Sequence, residues 1–404
     1  MKNNVMKNTK KRENIMEIKI NRKDFLKILT KAKYLTSSKT NLAITSTVLL
    51  IAENDKLEIQ ATDLEVFYQD FCSAKIIQPG CIAVPLKELY NFVQKIKSHE
   101  IYLTLKDTYW LKISGEAIHL NIVCMNSDDF PIMPAMPELN YDKMIKIKTI
   151  DLKEMIDKVV IVSNNEEIYK TFKHGVQFKT IKQDNKNFIR MVSTNGEQLN
   201  LIDKECPDAL KLELNKGTLI PKKDLLKLNK MLLQTSIKAK NKINPFFENE
   251  DCITLGINQN YFIIKKLNVT IIIRLLKGEF PDYDDLIFKQ DKNIIIIDKK
   301  IFLDAIQQIK IMQNKDYNTM LINIENNILK MFLQNPDMGE IEKTINIEYT
   351  GKLIEARFSL NQFANLLNVM NSEKIELNIN NGITPCMITG DQDKYFYGLI
   401  MPFK

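Results

Sequence analysis

The feature that most constrains this chain is a pattern that occurs three times. A short apolar strand runs directly into an amphipathic helix at EIKI then Asn21 to Leu35, at IKIKTI then Asp151 to Ser163, and at NIIIID then Lys299 to Met312. Phe25, Leu26, Ile28, Leu29 and Ala32 recur at helical spacing in the first helix, and Leu152, Met155, Ile156 and Val159 in the second. Ile301, Phe302, Ala305, Ile306 and Ile309 do so in the third, so one face of each helix must be buried. A second helix follows in each unit behind a start signal: Pro85 before LKELYNFVQKI, Pro221 before KKDLLKLNKML and Ser359 before LNQFANLLNVM. Starts in both sets lie roughly 130 to 150 residues apart, about one domain length. Between the helices, IYLTLKDTYWLKISGEAIHLNIV, CITLGINQNYFIIKKLNVTIIIRLL and KIELNINNGITPCMITGDQDKYFYGLIM alternate with period two and read as antiparallel hairpins. Matching turns recur, Ala61-Thr62-Asp63-Leu64 answering Ser193-Thr194-Asn195-Gly196, and Phe130-Pro131, Phe280-Pro281 and Met401-Pro402 close the units. The implied class is α+β: three repeated domains, each with two helices packed on antiparallel sheets. Their bounds are read at 16–140, 141–290 and 291–404, after a basic extension, residues 1–15, that is expected to be disordered.

Other classes are disfavoured by what the sequence lacks. Glycine numbers only 12 in 404 residues, little material for a phosphate-cradling loop, and GxGxxG, GxxxxGK[ST] and GxSxG are all missing. The six cysteines are scattered without a CxxC pair, and there is neither an apolar leader nor a run of 18 apolar residues, so a reducing cytoplasm is expected. His99, His119 and His174 form no HExxH arrangement, and no metal or cofactor is expected. Asp128 with Asp129, Glu166 with Glu167, and Asp282, Asp284 and Asp285 read as solvated turn residues. A metal-dependent nuclease built on the last three is the rival enzymatic reading.

Lys plus Arg is 57 against 50 Asp plus Glu, a formal charge of +7 that matters if it is gathered on one surface. Lysines recur on the polar faces of the helices: Lys23, Lys27 and Lys31; Lys87 and Lys95; Lys222, Lys223, Lys227 and Lys230; Lys299 and Lys300. The last helix offers Asn361, Gln362, Asn365 and Asn368 instead. Any one such face reads as plain solvation, whereas the repetition implies a positive track that meets phosphates without reading bases.

From Met16 onward the chain resembles the beta subunit of bacterial DNA polymerase III, the replicative sliding clamp. The likeness is carried by LAITSTVLL and ATDLE, ISGEAIHLNIV and DDFPIMPAMPE, STNGEQL, LIPKKDLL and GEFPDYDDLI, and YTGKLIEARFSLNQFANLL with the terminal IMPFK. It implies a homodimeric ring of DNA-clamp domains around double-stranded DNA, without catalysis of its own, that tethers the DNA polymerase III alpha subunit. Other partners would be an ATP-driven clamp loader and polymerases or repair proteins bearing clamp-binding peptides. The resemblance places a peptide-binding pocket at Lys173, Thr194, Gly196, Gln198, Leu199, Pro281, Leu286, Pro385, Leu399, Ile400, Met401 and Pro402. It places DNA contacts at Lys39 and Lys170, where the family usually has arginine, to join Lys27, Lys31, Lys222 and Lys223 of the positive track, and the subunit interface at Ile311 and Met312. The chain departs from the family pattern at Lys173, usually aliphatic, at Glu197-Gln198, usually His-Arg, and at its Pro402-Phe403-Lys404 end, usually Met-Arg-Leu. A clamp-fold scaffold that binds peptides without closing a ring is the remaining alternative.

Overall fold

The computed structural model describes residues 15–34, 42–105, 109–134, 143–162, 171–214, 217–236, 252–288 and 294–403, which form two compact bodies. The first contains the described residues up to Met144 and from Lys230 to Arg274; the second contains Ile145 to Asn229 and those from Leu275 on. Lys39, Lys170 and Lys404 lie outside the described residues, as does the N-terminal extension before Ile15.

In the first body, strand Met16–Asn21 pairs antiparallel with Glu100–Leu105 on one side and Val66–Gln78 on the other. The sheet continues through Trp110–Gly115 to an edge at Ile118–Val123. Beyond Val66–Gln78 it continues through Val269–Arg274, Tyr261–Lys266 and Cys252–Ile257, so a hairpin far along the sequence completes the N-terminal sheet. Helices α1 (Arg22–Ala32) and α2 (Leu86–Lys95) pack against each other. Asn21 ends the first strand and caps α1 through its side chain, accepting from the N–H of Lys23 and Asp24. Phe25, Ile28, Leu29 and Ala32 are buried as their spacing predicts, each large side chain stabilising the body by roughly 1.5–3 kcal/mol. Pro85 precedes rather than opens the first turn of α2, where it is the N-cap.

The second body holds α3 (Thr149–Val160), α4 (Thr171–His174), the part of α5 (Lys222–Ser236) up to Asn229, α6 (Asp284–Phe288), α7 (Lys299–Ile309) and α8 (Leu360–Val369). Helix α3 begins two residues before the expected Asp151, and α7 ends at Ile309, with a 3-10 turn over Lys310–Met312. One eight-stranded sheet runs Thr218–Pro221, Gly175–Gln183, Lys186–Thr194, Gln198–Glu205, Phe396–Ile400, Cys386–Gly390, Lys374–Asn378 and Ile294–Asp298. A four-stranded sheet is built from Gly339–Asn346, Ile328–Asn335, Thr319–Glu325 and Ile354–Ser359. Antiparallel pairing of Gln198–Glu205 with Phe396–Ile400 joins two sequence repeats in one ladder.

The repetition extends to single hydrogen bonds. In the first body the Thr62 hydroxyl donates to the Val66 carbonyl and accepts from the N–H of Leu64, while Asp63 Oδ1 accepts from the N–H of Glu65 and Val66. Thr194 and Asn195 reproduce all four bonds with Gln198, Gly196 and Glu197. Leu64 and Gly196 share the left-handed conformation this turn requires, at φ 75° and 94°.

Candidate peptide-binding groove and DNA-facing lysines

The register of the joining ladder sets which side chains share a surface. Leu199 lies opposite Leu399, and Gln198 opposite Ile400. Since neighbouring strand residues face opposite sides, Leu199 and Leu399 belong to one face and Gln198 and Ile400 to the other. On the first face Val192, Leu199, Leu201 and Leu399 pack with Tyr283 and Ile287, and half-buried Phe280, Met387 and Tyr397 border them. On the other face Gln198 Nε2 donates to Asn200 Oδ1, and Asn200 Nδ2 donates to the Lys158 carbonyl of α3. Gln198 and Ile400, expected in the pocket, are 2% and 0% exposed on this helix-covered face and cannot meet a peptide there.

The open rim of the apolar face is formed by chain that leaves the sheet. Helix α6 presents Leu286, 43% exposed, and exposed Pro281 lies just before it. The left-handed turn exposes Gly196; a Cβ there would sit 3.7 Å from Lys173 Nζ, which places Lys173 directly beside this turn. Met401 donates its N–H to the Glu197 carbonyl at 2.7 Å, continuing the ladder, and Phe403 donates to the Arg357 carbonyl at 2.7 Å, bridging to the four-stranded sheet. Met401, Pro402 and Pro385 are half-buried, whereas Thr194, Leu199 and Leu399 are almost wholly buried. The result is a packed apolar cluster on one sheet face, edged by the partly exposed Leu286, Pro281, Gly196, Met401 and Pro402.

A buried polar support holds the lip. Arg190 grips Asp203 with Nε and Nη2, both at 2.7 Å. The Tyr283 hydroxyl donates to Gln177 Oε1 at 2.9 Å, and Lys179 Nζ stands 4.8 Å from the Tyr283 ring centre. Burial pushes the Tyr283 hydroxyl well above its ordinary range, which keeps it a donor, and burial lowers the Lys179 ammonium. Phe280, Tyr283, Ile287, Met387, Tyr397 and the Arg190–Asp203 pair are site components the sequence reading did not select. FPDYDDLI contained three of them, and the period-two relation of Tyr397 to Leu399 could have found a fourth.

Comparison with known proteins bears on what this arrangement belongs to. The N-terminal domain of the DNA polymerase III beta subunit matches residues 16–134, its central domain 146–282 and its C-terminal domain 285–404. The chain belongs to the DNA polymerase III beta subunit family. The beta sliding clamp of Pseudomonas putida is 21% identical over 392 residues, covering 96% of this chain and all of that one. That of Haemophilus influenzae is 22% identical over 393 residues with the same coverage. Among solved structures, the Caulobacter crescentus beta sliding clamp superposes with a TM-score of 0.87 at 21% identity, covering 97% of this chain and 99% of that one. The Bartonella birtlesii sliding clamp, solved with griselimycin bound, gives 0.85 at 23% identity, covering 96% and 100%.

For this beta-subunit family member, the lysines separate into two kinds. Lys27 and Lys223 are exposed, as are Lys23, Lys87, Lys95, Lys230 and Lys300. Lys31 is 8% exposed, and its Nζ is committed to Asp70 at 2.7 Å, with the Tyr68 hydroxyl on the same oxygen. Lys222 is 5% exposed, donates to the Val162 carbonyl at 3.2 Å, and is lowered by burial to about 8. Both were expected at DNA, and burial removes them from that role. Ile311 is 69% exposed and Met312 half-buried at the end of α7. Asp282, Asp284 and Asp285 are exposed around the start of α6, where Asp282 Oδ1 accepts from the Asp284 N–H. Among the described residues no group of three or more His, Cys, Asp or Glu could hold a metal, and no helix is long and apolar enough to cross a membrane.

Proposed function

We infer that this chain is a DNA sliding clamp, a processivity factor that encircles duplex DNA and tethers the replicative polymerase and other clamp-binding proteins. The observation that carries this reading is the match to all three domains of the beta-subunit family, and the apolar cluster beside the residues that the resemblance assigns to the peptide pocket supports it. Tethering needs no bond-making chemistry: a peptide anchored in the groove holds its polymerase at high effective concentration near the primer end. The work is done in the cytoplasm by a non-catalytic subunit with clamp domains at 16–140, 141–290 and 291–404. Leu286, Pro281, Gly196, Lys173, Pro385, Met401 and Pro402 form the receiving lip over the walls Thr194, Leu199 and Leu399. Exposed Lys27 and Lys223, with Lys39 and Lys170, meet phosphates loosely enough for sliding.

Two copies close a ring head to tail, Ile311 and Met312 of one meeting the N-terminal domain of the other. The exposure of Ile311 suits such a seam, as do the unpaired sheet edge Ile118–Val123 and exposed Trp110. The test is retention on nicked circular plasmid after loading, compared with plasmid cut once. Rings stay on the circle and run off the linear form, and equal loss from both refutes encirclement. Deleting Met401–Lys404 should abolish binding of a polymerase-derived peptide and leave the dimer intact; unchanged affinity refutes the groove.

A further inference from the structure

The groove's apolar lip is set in acid. Leu286 and Pro281 bracket the run Asp282-Tyr283-Asp284-Asp285, and Glu279 stands two residues before Pro281. Asp282, Asp284 and Asp285 are exposed. The neighbouring cations leave much of this charge unanswered. Arg190 is matched by Asp203, approaching Asp284 only at 4.0 Å, and Lys179 lies over the Tyr283 ring. Among the described residues, Asp282, Asp285 and Glu279 have no cation within ion-pair distance. Among the described residues four carboxylates, Glu279, Asp282, Asp284 and Asp285, therefore cluster around Pro281 and Leu286 with only Arg190 and Lys179 as cations shown near them, on a chain whose formal charge is +7. A groove of opposite sign to its own molecule attracts cationic segments and repels anionic ones.

We propose that this groove selects peptides that carry basic residues beside their apolar anchors, a reading that rests on its being the peptide site proposed above. The anchors enter beside Leu286, and lysine or arginine side chains on the same peptide reach Asp284 and Asp285. Rim pairs of this kind stay solvated, so they set partner choice and association rate more than ultimate affinity.

The test is fluorescence anisotropy on the full chain with labelled synthetic decapeptides that share one Leu-Phe anchor pair and differ in flanking residues: four lysines, four serines or four glutamates. In about 50 mM salt the lysine peptide should bind about fivefold tighter than the serine peptide and the glutamate peptide about fivefold weaker, with the spread shrinking at 0.5 M. Asp284→Asn with Asp285→Asn, both exposed, should bring the three peptides within about twofold while leaving the serine peptide unchanged. A glutamate peptide that binds as tightly as the lysine peptide overturns the proposal while the groove stands. So does a lysine peptide that keeps its affinity when Leu and Phe are replaced by serine, because its attraction is then not tied to the anchors. Serine-peptide binding that is unaffected by Leu286→Ala and by loss of Met401–Lys404 overturns the groove itself.

Discussion

Lys158→Met tests the support beneath the groove. Lys158 is 1% exposed on α3; its Nζ donates to Asp393 Oδ1 at 2.6 Å and Glu154 Oε1 at 2.5 Å and lies 5.0 Å from the Phe396 ring centre. Asp393, 2% exposed, also accepts from the N–H of Asn371, the N–H of Ser372 and the Ser372 hydroxyl. Methionine keeps the length and apolar stem, so the substitution isolates the charge. Asp393 is then buried with neutral donors alone, and breaking such a pair costs about 3–5 kcal/mol. In a body of this size each kcal/mol moves Tm by about 2–4 °C, so calorimetry should show a fall of roughly 6–20 °C. Lys158→Met with Asp393→Asn should recover part of the loss, because no stranded charge remains.

The sign of the pH dependence follows from the same contacts. Burial pushes both Asp393 and Glu154 up, but hydrogen bonds outweigh it and hold each carboxyl below its ordinary value. Their stabilisation is therefore complete above the unfolded values near pH 4 and is lost as pH falls through the lower folded ones. Lys158→Met should flatten that acid limb. A single variant that melts within about 2 °C of the parent with an unchanged acid limb would falsify the reasoning.

Three further outcomes are expected. Ile311→Ala with Met312→Ala should weaken self-association by about 2 kcal/mol or more, since anchors at an interface centre dominate its energy; sedimentation that finds the double variant fully dimeric at nanomolar concentration refutes the seam. Lys222, lowered to about 8 by burial, binds its proton less readily folded than unfolded, so its contribution to stability should rise from about pH 8 to 10.5. Lys222→Met should remove that rise in denaturant titrations, and an unaltered slope there contradicts the assignment. Lys27→Glu with Lys223→Glu should shorten residence on circular DNA and reduce its salt dependence, whereas Lys31→Met should act on stability instead; a Lys31 variant that loses only DNA retention reverses the two roles.

The sequence by itself determined the local elements. Helical spacing in Phe25 to Ala32 and Leu152 to Val159 marked the buried faces, and Ser359 caps α8 where its side chain predicted. The paired turns at Thr62 and Thr194 were visible because their bonds close within five residues. These features depend on neighbours a few positions apart, and such information is written along the chain.

Which side chains share a surface was decided only by tertiary structure. Lys27 and Lys31 sit on the same helix, yet one is solvated and the other is held by Asp70, 39 positions away. Leu399 and Ile400 are adjacent in the groove strand, and its pairing with Gln198–Glu205 sent one toward Tyr283 and the other toward the helices. The hairpin at 252–274 gave no sign that its last strand pairs with Val66–Gln78. Burial and register arise from contacts across long loops, whose closure leaves no local periodicity behind; that is why the groove's floor and the buried lysines became visible only once the chain was folded.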